Sequence, residues 1–361
     1  MKTTIYTISE LQDLVHSTGY RESETVPVSP ERVLSYMHNP RSEPEMPVLF
    51  TLTEGERLLA YRTLLPDHLV RDGATVPFAW LSGNYVVPGR RREGLSTRLF
   101  REVEKVWKGQ LMYTNYAPAS KAVYDRSGVF SCFVTRPGKR YYMRSSLHSL
   151  LGERVKAGRL LEMTDRVINA FHDPMIRGMA LGDIPAAVVR RIGPEEPLPE
   201  KLINSMASQS LFARGRKEFD WIRKYPWVTD KPAGEIEGHY HFTRKVSHYR
   251  NQWYHIRSDG DEAFLWITLI NDRLSVPYFF QTGKMAVLAA RNLVISEMIA
   301  AGCSHITIRH PELGPVLGTR KNPFIMSRAM PQHYFVHRSL ENVLPEKYLV
   351  HDGDGDVVFT G

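Results

Sequence analysis

Between Val86 and Ser96 the chain reads Val-Val-Pro-Gly-Arg-Arg-Arg-Glu-Gly-Leu-Ser. Pro88 stops a β-rich run, and glycine with small side chains then opens a helix-periodic stretch. A helix start of this kind leaves several backbone N–H groups without intrahelical acceptors. With the helix dipole, those groups favour an anion such as a pyrophosphate. Gly94 lets a ligand approach the backbone closely, Ser96 is too small to block it, and Arg90, Arg91 and Arg92 add charge that can meet phosphates. A second segment, Ser120-Lys-Ala-Val-Tyr-Asp-Arg-Ser-Gly-Val-Phe130, reads as a short helix that carries Tyr124 and ends at Gly128.

These groups need a scaffold. Pro47 to Thr53, Arg57 to Leu65 and Thr75 to Val87 read as strands, the first two joined at Glu54-Gly55-Glu56. Leu95, Leu99, Val103 and Val106 recur at helical spacing and predict an amphipathic helix over Leu95 to Trp107. Before the strands, Thr3 to Ile8 is a short strand. Ser9 is expected to cap a helix to Ser17, and Ser29-Pro30 opens another to Met37. After the long helix come a strand at Leu111 to Tyr116, a short helix Ser120 to Ser127 ended by Gly128, and closing strands Phe130 to Thr135 and Arg140 to Met143. A mixed α/β sheet flanked by helices accommodates that order.

The two signatures resemble those of the GNAT superfamily of acyl-CoA N-acyltransferases. The family's Arg/Gln-x-x-Gly-x-Gly/Ala, preceded by Val-x-Pro, is matched by Arg91-x-x-Gly94-x-Ser96, with serine in the last place. Its second signature, a tyrosine on a short helix ahead of Gly-Phe, is matched by Tyr124 and Gly128-Val129-Phe130, which carries one extra residue. Ala117 stands where the family often has Asn, with Asn115 close by. The resemblance implies a GNAT-like fold and acetyl-CoA as acyl donor. It implies cofactor contacts from Tyr85, Val86, Val87, Arg91, Arg92, Glu93, Gly94, Leu95, Ser96 and Thr97. It also implies a direct attack of an amine on the thioester, an oxyanion held by a strand N–H near Tyr85 or Val86, and Tyr124 as the acid that protonates the departing thiolate. No carboxylate lies in Thr75 to Val87, so the base is open among Asp67, His68 and the second half.

A chain of 361 residues suits two domains. Trp253 to Arg257, Glu262 to Ile270 and Leu274 to Phe280, a helix Met285 to Ala300, and strands Ser304 to Arg309 and His333 to His337 repeat the β, β, β, α, β succession. We therefore expect a GNAT domain over 1–145, a helical linker and boundary over 146–200, and a degenerate GNAT-like domain over 201–361 that shapes the acceptor site. That second domain lacks a cradle, because Gly283-Lys284-Met285 has neither the upstream glycine nor the following hydroxyl of a phosphate loop.

Composition narrows the classes. A net charge of +8 favours acidic partners without choosing among them. Cys132 and Cys303 suggest neither disulfide nor metal site and are expected as buried fillers. Met1 to Tyr6 lacks a basic segment followed by an apolar stretch and no run reaches membrane length, so a cytoplasmic protein is expected. His239, His241, His248 and His255 lie among aromatic residues, a pattern that a half-buried strand gives without any metal or nucleic acid. Asp352-Gly-Asp-Gly-Asp356 lacks the sixth-position glycine and the closing glutamate of a calcium loop and reads as a tight turn. The expected function is acetyl or short-acyl transfer to a small-molecule amine, a metabolite or amino sugar. Two alternatives stand beside it: a non-catalytic acyl-CoA-binding or regulatory module, and nucleic-acid binding through His239 to Arg257.

Overall fold

The computed structural model of the chain describes residues 1–145, 147, 158–177, 187–232, 236, 238–319 and 322–360. It holds two compact units, each built on a seven-stranded mixed sheet. In the first, the strands run in the order Lys2–Thr7, Pro47–Glu54, Arg57–Arg71, Ala74–Val86, Leu111–Tyr113, Gln332–His337 and Phe130–Arg136. The first four pair antiparallel; Ala74–Val86 and Leu111–Tyr113 pair parallel, with helix Leu95–Val106 crossing between them.

Local chemistry explains these elements. Leu95, Leu99, Phe100 and Val103 form the buried stripe of the crossover helix, at the expected helical spacing. The expected strand from Arg57 extends to Arg71, because Asp72 and Gly73 both take positive φ (49° and 80°) and close a tight hairpin onto Ala74. Ser29 caps Pro30–Met37 by accepting from the Arg32 N–H. The first helix, Ile8–His16, is capped by Thr7 rather than Ser9, because only Thr7 has a glutamate three residues on: the Glu10 carboxylate takes the Thr7 N–H at 2.7 Å.

The second sheet runs Met326–Ala329, Lys139–Tyr142, His305–Ile308, Arg273–Gln281, Asp261–Ile270, Tyr249–Ser258 and Val188–Ile192. Arg273–Gln281 and His305–Ile308 are parallel, joined by helix Lys284–Ala300, whose Ala286, Ala290, Val294 and Met298 are buried in the unit's core. The β, β, β, α, β succession of the first unit therefore recurs here.

The boundaries differ from those read in the sequence. The first unit comprises Met1–Thr135, Asn204–Val246 and His333–Thr360, and the second comprises Arg136–Ile203 and Ser247–Gln332. Lys139–Tyr142, expected to close the first sheet, pairs with His305–Ile308 in the second. His333–His337, expected in the second, pairs with Leu111–Tyr113 in the first. Short strands of ordinary β composition fit either sheet, and only long-range pairing decides. Within 146–200, a helix Gly158–Arg177 and a strand Val188–Ile192 are described; 146, 148–157 and 178–186 lie outside the described residues. Cys303 is buried as expected, whereas Cys132 is exposed. Among the described residues no helix is long and apolar enough to cross a membrane.

Candidate active site

Parallel pairing between Ala74–Val86 and Leu111–Tyr113 is confined to Ala79 with Leu111 and Trp80 with Met112, so beyond Trp80 the two strands part. A bulge sits at the same point. Thr63 pairs with Gly83 but Leu64 with Leu81, leaving Ser82 as the extra residue, which bends the strand. Gly83 is needed there, because a Cβ would strike the Thr63 hydroxyl and the Phe242 ring. The Val87 N–H donates to the Leu59 carbonyl at 2.9 Å. By the alternation of an antiparallel ladder, Tyr85 faces the same neighbour and Val86 faces the open side. The Val86 carbonyl, on that side, accepts from Arg91 Nε at 3.2 Å.

The turn leading out of this strand carries the glycine and the arginines singled out in the sequence. Gly94 is the N-cap of Leu95–Val106 at φ 79°, and Arg92 is also left-handed at φ 71°. Among the described residues, the backbone N–H groups of Arg92 through Thr97 meet no protein acceptor. Arg90 is engaged by Glu54 and Glu93, at 2.9 and 2.8 Å, and so stiffens the turn. Arg91 and Arg92 are exposed at the mouth. The side chains of Tyr85, Val87 and Leu95 are buried.

Tyr124 comes to the same place from helix Pro118–Ser127, which Gly128 ends at φ 66°. Its ring is 3% exposed and packs 4.4 Å from the Tyr113 ring. Its hydroxyl oxygen accepts from Arg62 Nη1 at 2.7 Å. Arg62 Nη2 donates to Asn84 Oδ1 (3.1 Å) and Ser96 Oγ (3.2 Å), and Ser96 Oγ donates to Asn84 Oδ1 (3.0 Å). The serine that replaces Gly or Ala in the signature thus faces inward and joins the cradle helix to the tyrosine.

A cavity of about 290 Å³ opens where the strands part. Ser82, Asn84, Asn115, Tyr124 and His241 line it, with the rings of Tyr116, Trp227 and Phe242. So does Asp356, which the sequence reading left in a turn. Asp356 Oδ2 accepts from Ser82 Oγ at 2.6 Å, and Ser82 in turn accepts from Arg32 Nη2 at 2.5 Å. Burial pushes the Asp356 carboxyl above the usual carboxylate range, against the Ser82 hydrogen bond and the Arg32 charge. Burial likewise lowers His241, with help from His239 and Arg91, and so favours its neutral form.

The segment carrying Asp356 is anchored by a buried ion cluster. Arg214 donates to Asp67 (2.7 Å) and to the carbonyls of Gly353 and Gly355 (both 3.1 Å), while Arg41 also pairs with Asp67 at 2.7 Å. Burial alone would raise the Asp67 carboxyl, but Arg214, Arg41 and the Trp80 indole outweigh it and hold the group at about 2. Asp67 is therefore committed to structure, and neither it nor His68 lines the cavity.

His239 and His241 lie in the first unit, His248 and His255 in the second. Among the described residues no group of three His, Cys, Asp or Glu could hold a metal ion. At the start of helix Lys284–Ala300 the Asp261 carboxylate accepts the Met285 N–H at 2.9 Å, filling the position that the first unit leaves open.

No family model and no curated protein matches the sequence. Solved structures do match. A GCN5-related N-acetyltransferase from Anabaena variabilis superposes with a TM-score of 0.51 at 10% identity, over 92% of this chain and 71% of that one. A conserved protein of unknown function from Enterococcus faecalis, described as a probable N-acyltransferase, superposes with a TM-score of 0.50 at 9% identity, over 93% and 73%. With two mixed sheets of the same element succession, the chain has the fold of the GNAT acyltransferases in tandem form.

Proposed function

We propose that the protein is an N-acyltransferase that moves an acetyl or short acyl group from acyl-CoA to a small-molecule amine. The observation that carries this reading is the Tyr124 hydroxyl: its oxygen is held by a pure donor, Arg62, so its own proton is free for an acceptor in the cavity it lines. The N–H groups of Arg92 through Thr97 would hold the pyrophosphate, with Arg91 and Arg92 at the mouth. The acyl-thioester arm would lie where the strands part. The second unit, with its helix N-terminus filled by Asp261, takes no cofactor.

In this mechanism Asp356 accepts a proton from the acceptor ammonium, and the neutral amine attacks the thioester carbonyl. The Val86 N–H stabilises the oxyanion. Collapse breaks the carbon–sulfur bond, Tyr124 gives its proton to the departing thiolate, and the nitrogen, cationic since the attack, releases its second proton to solvent. The aromatic rings of the cavity favour an amine with an apolar body over an amino sugar.

Thiol release from acetyl-CoA, measured with tyramine, tryptamine, spermidine, glucosamine and a glycyl peptide, tests the reading. Turnover is expected with at least one, fastest with an aromatic amine, and Tyr124→Phe should lower kcat by about 100-fold or more. Acetyl-CoA binding without thiol release from any amine would instead favour the non-catalytic module. The base must be ionised, so with its carboxyl raised by burial, kcat/KM should fall as pH drops through a value above the ordinary carboxylate range. Asp356→Asn should remove that acid limb and His241→Gln should leave it; the reverse pattern would make His241 the base.

A further inference from the structure

Arg62 lies mid-strand in an otherwise apolar run and is fully buried, at 0% exposure. Among the described residues no carboxylate pairs with it. Among the described residues its hydrogen bonds go to the neutral oxygens of Tyr124, Asn84 and Ser96, and Nε has no protein partner. The rings of Tyr124 and Phe100 lie 5.4 and 5.7 Å from its guanidinium carbon. A guanidinium withdrawn from water without an anion is costly, and stability alone would favour an apolar residue of the same volume.

Resting on the acyl-transfer reading, we infer that Arg62 is the positioning residue for Tyr124, its charge matched by the negative charge that appears on the phenol oxygen as the proton leaves for the thiolate. Three features support this. Arg62 has donors only, so the hydroxyl cannot turn its proton inward and waste it on the arginine. The hydrogen bond, at 2.7 Å, strengthens as the oxygen becomes anionic. The second guanidinium nitrogen reaches Ser96 on the cradle helix and Asn84 on the splayed strand, fixing the acid relative to both walls of the site. Ser96 is thus selected here by Arg62, which a glycine or alanine would leave with one fewer acceptor. Proton balance is kept: the phenol O–H bond breaks, the thiol S–H bond forms, and the phenolate is reprotonated from solvent between turnovers.

The test is a double-mutant cycle on thiol release from acetyl-CoA, using the fastest amine of the panel. Arg62→Met should lower kcat by about 30-fold while KM for acetyl-CoA changes less than about threefold. Arg62→Lys, which keeps the charge and one donor, should recover most of that loss. In a Tyr124→Phe background, Arg62→Met should cost less than about threefold, because the group it serves is gone. An equal loss in both backgrounds, or a loss carried by KM, would overturn the inference while leaving Tyr124 as the acid. A Tyr124→Phe variant with unchanged kcat would overturn both. If Arg62→Met fails to fold, Arg62→Lys alone in the two backgrounds still decides, since its smaller loss must also vanish without the tyrosine hydroxyl.

Discussion

Gly94→Glu should weaken acetyl-CoA binding by at least about 100-fold, or about 3 kcal/mol, measured by calorimetry. Gly94 takes φ 79° as N-cap of the cradle helix, and no other atom lies within 4 Å of the place a Cβ would occupy. The substitution is therefore not excluded by crowding. It acts through the backbone, because a left-handed conformation costs a residue with a Cβ about 1–2 kcal/mol. The turn would relax, and binding would have to restore it. The new carboxylate would also sit at a helix N-terminus, where it satisfies the N–H groups proposed to hold the phosphates and repels them. Gly94→Ala should show the conformational part alone, with a loss of roughly tenfold. Equal affinity for all three proteins would exclude this turn as the phosphate site.

The second large effect falls on stability. Arg214→Met should lower the free energy of unfolding by about 3–5 kcal/mol in denaturant titration. Asp67 is 2% exposed and depends on two guanidiniums, and the substitution removes one while stranding the Gly353 and Gly355 carbonyls. Because Arg41 still pairs with Asp67, the loss should sit at the lower end of that range. The same change frees the segment that presents Asp356 to the cavity, so kcat should fall in protein that remains folded. A loss under about 1 kcal/mol would mean that the cluster is solvated and does not anchor the segment.

Much of the first unit could be read from local pattern. Helix Leu95–Val106 follows from a single apolar stripe, Pro30–Met37 from Ser29-Pro30, and the left-handed turn ahead of Leu95 from Gly94. Each is dictated by residues within one or two turns of each other. The pairing of strands is different in kind. Gln332–His337 lies more than 200 residues from Leu111–Tyr113 along the chain, and nothing in either composition names the other. The residue division between units was lost for the same reason.

Within the proposed site, Gly94, Ser96 and Tyr124 are legible in the sequence because the chemistry proposed for them depends on backbone geometry nearby. Asp356 and Arg62 are not legible there because the roles proposed for them depend on distant partners. Asp356 was hidden in an Asp-Gly alternation that resembles a surface turn, although the segment is buried. Arg62 did leave a signal: a single charged residue in Leu58-Leu-Ala-Tyr-Arg-Thr-Leu-Leu65, where a strand covered on both faces has no solvent for it.

A crystal structure of the protein with CoA tests the site as a whole. The pyrophosphate is expected on the N–H groups between Arg92 and Thr97, with the pantetheine arm between the parting strands Ala74–Val86 and Leu111–Tyr113 and its sulfur within hydrogen-bond reach of the Tyr124 hydroxyl. A pyrophosphate bound elsewhere, or a sulfur remote from Tyr124, would contradict acyl transfer at this site.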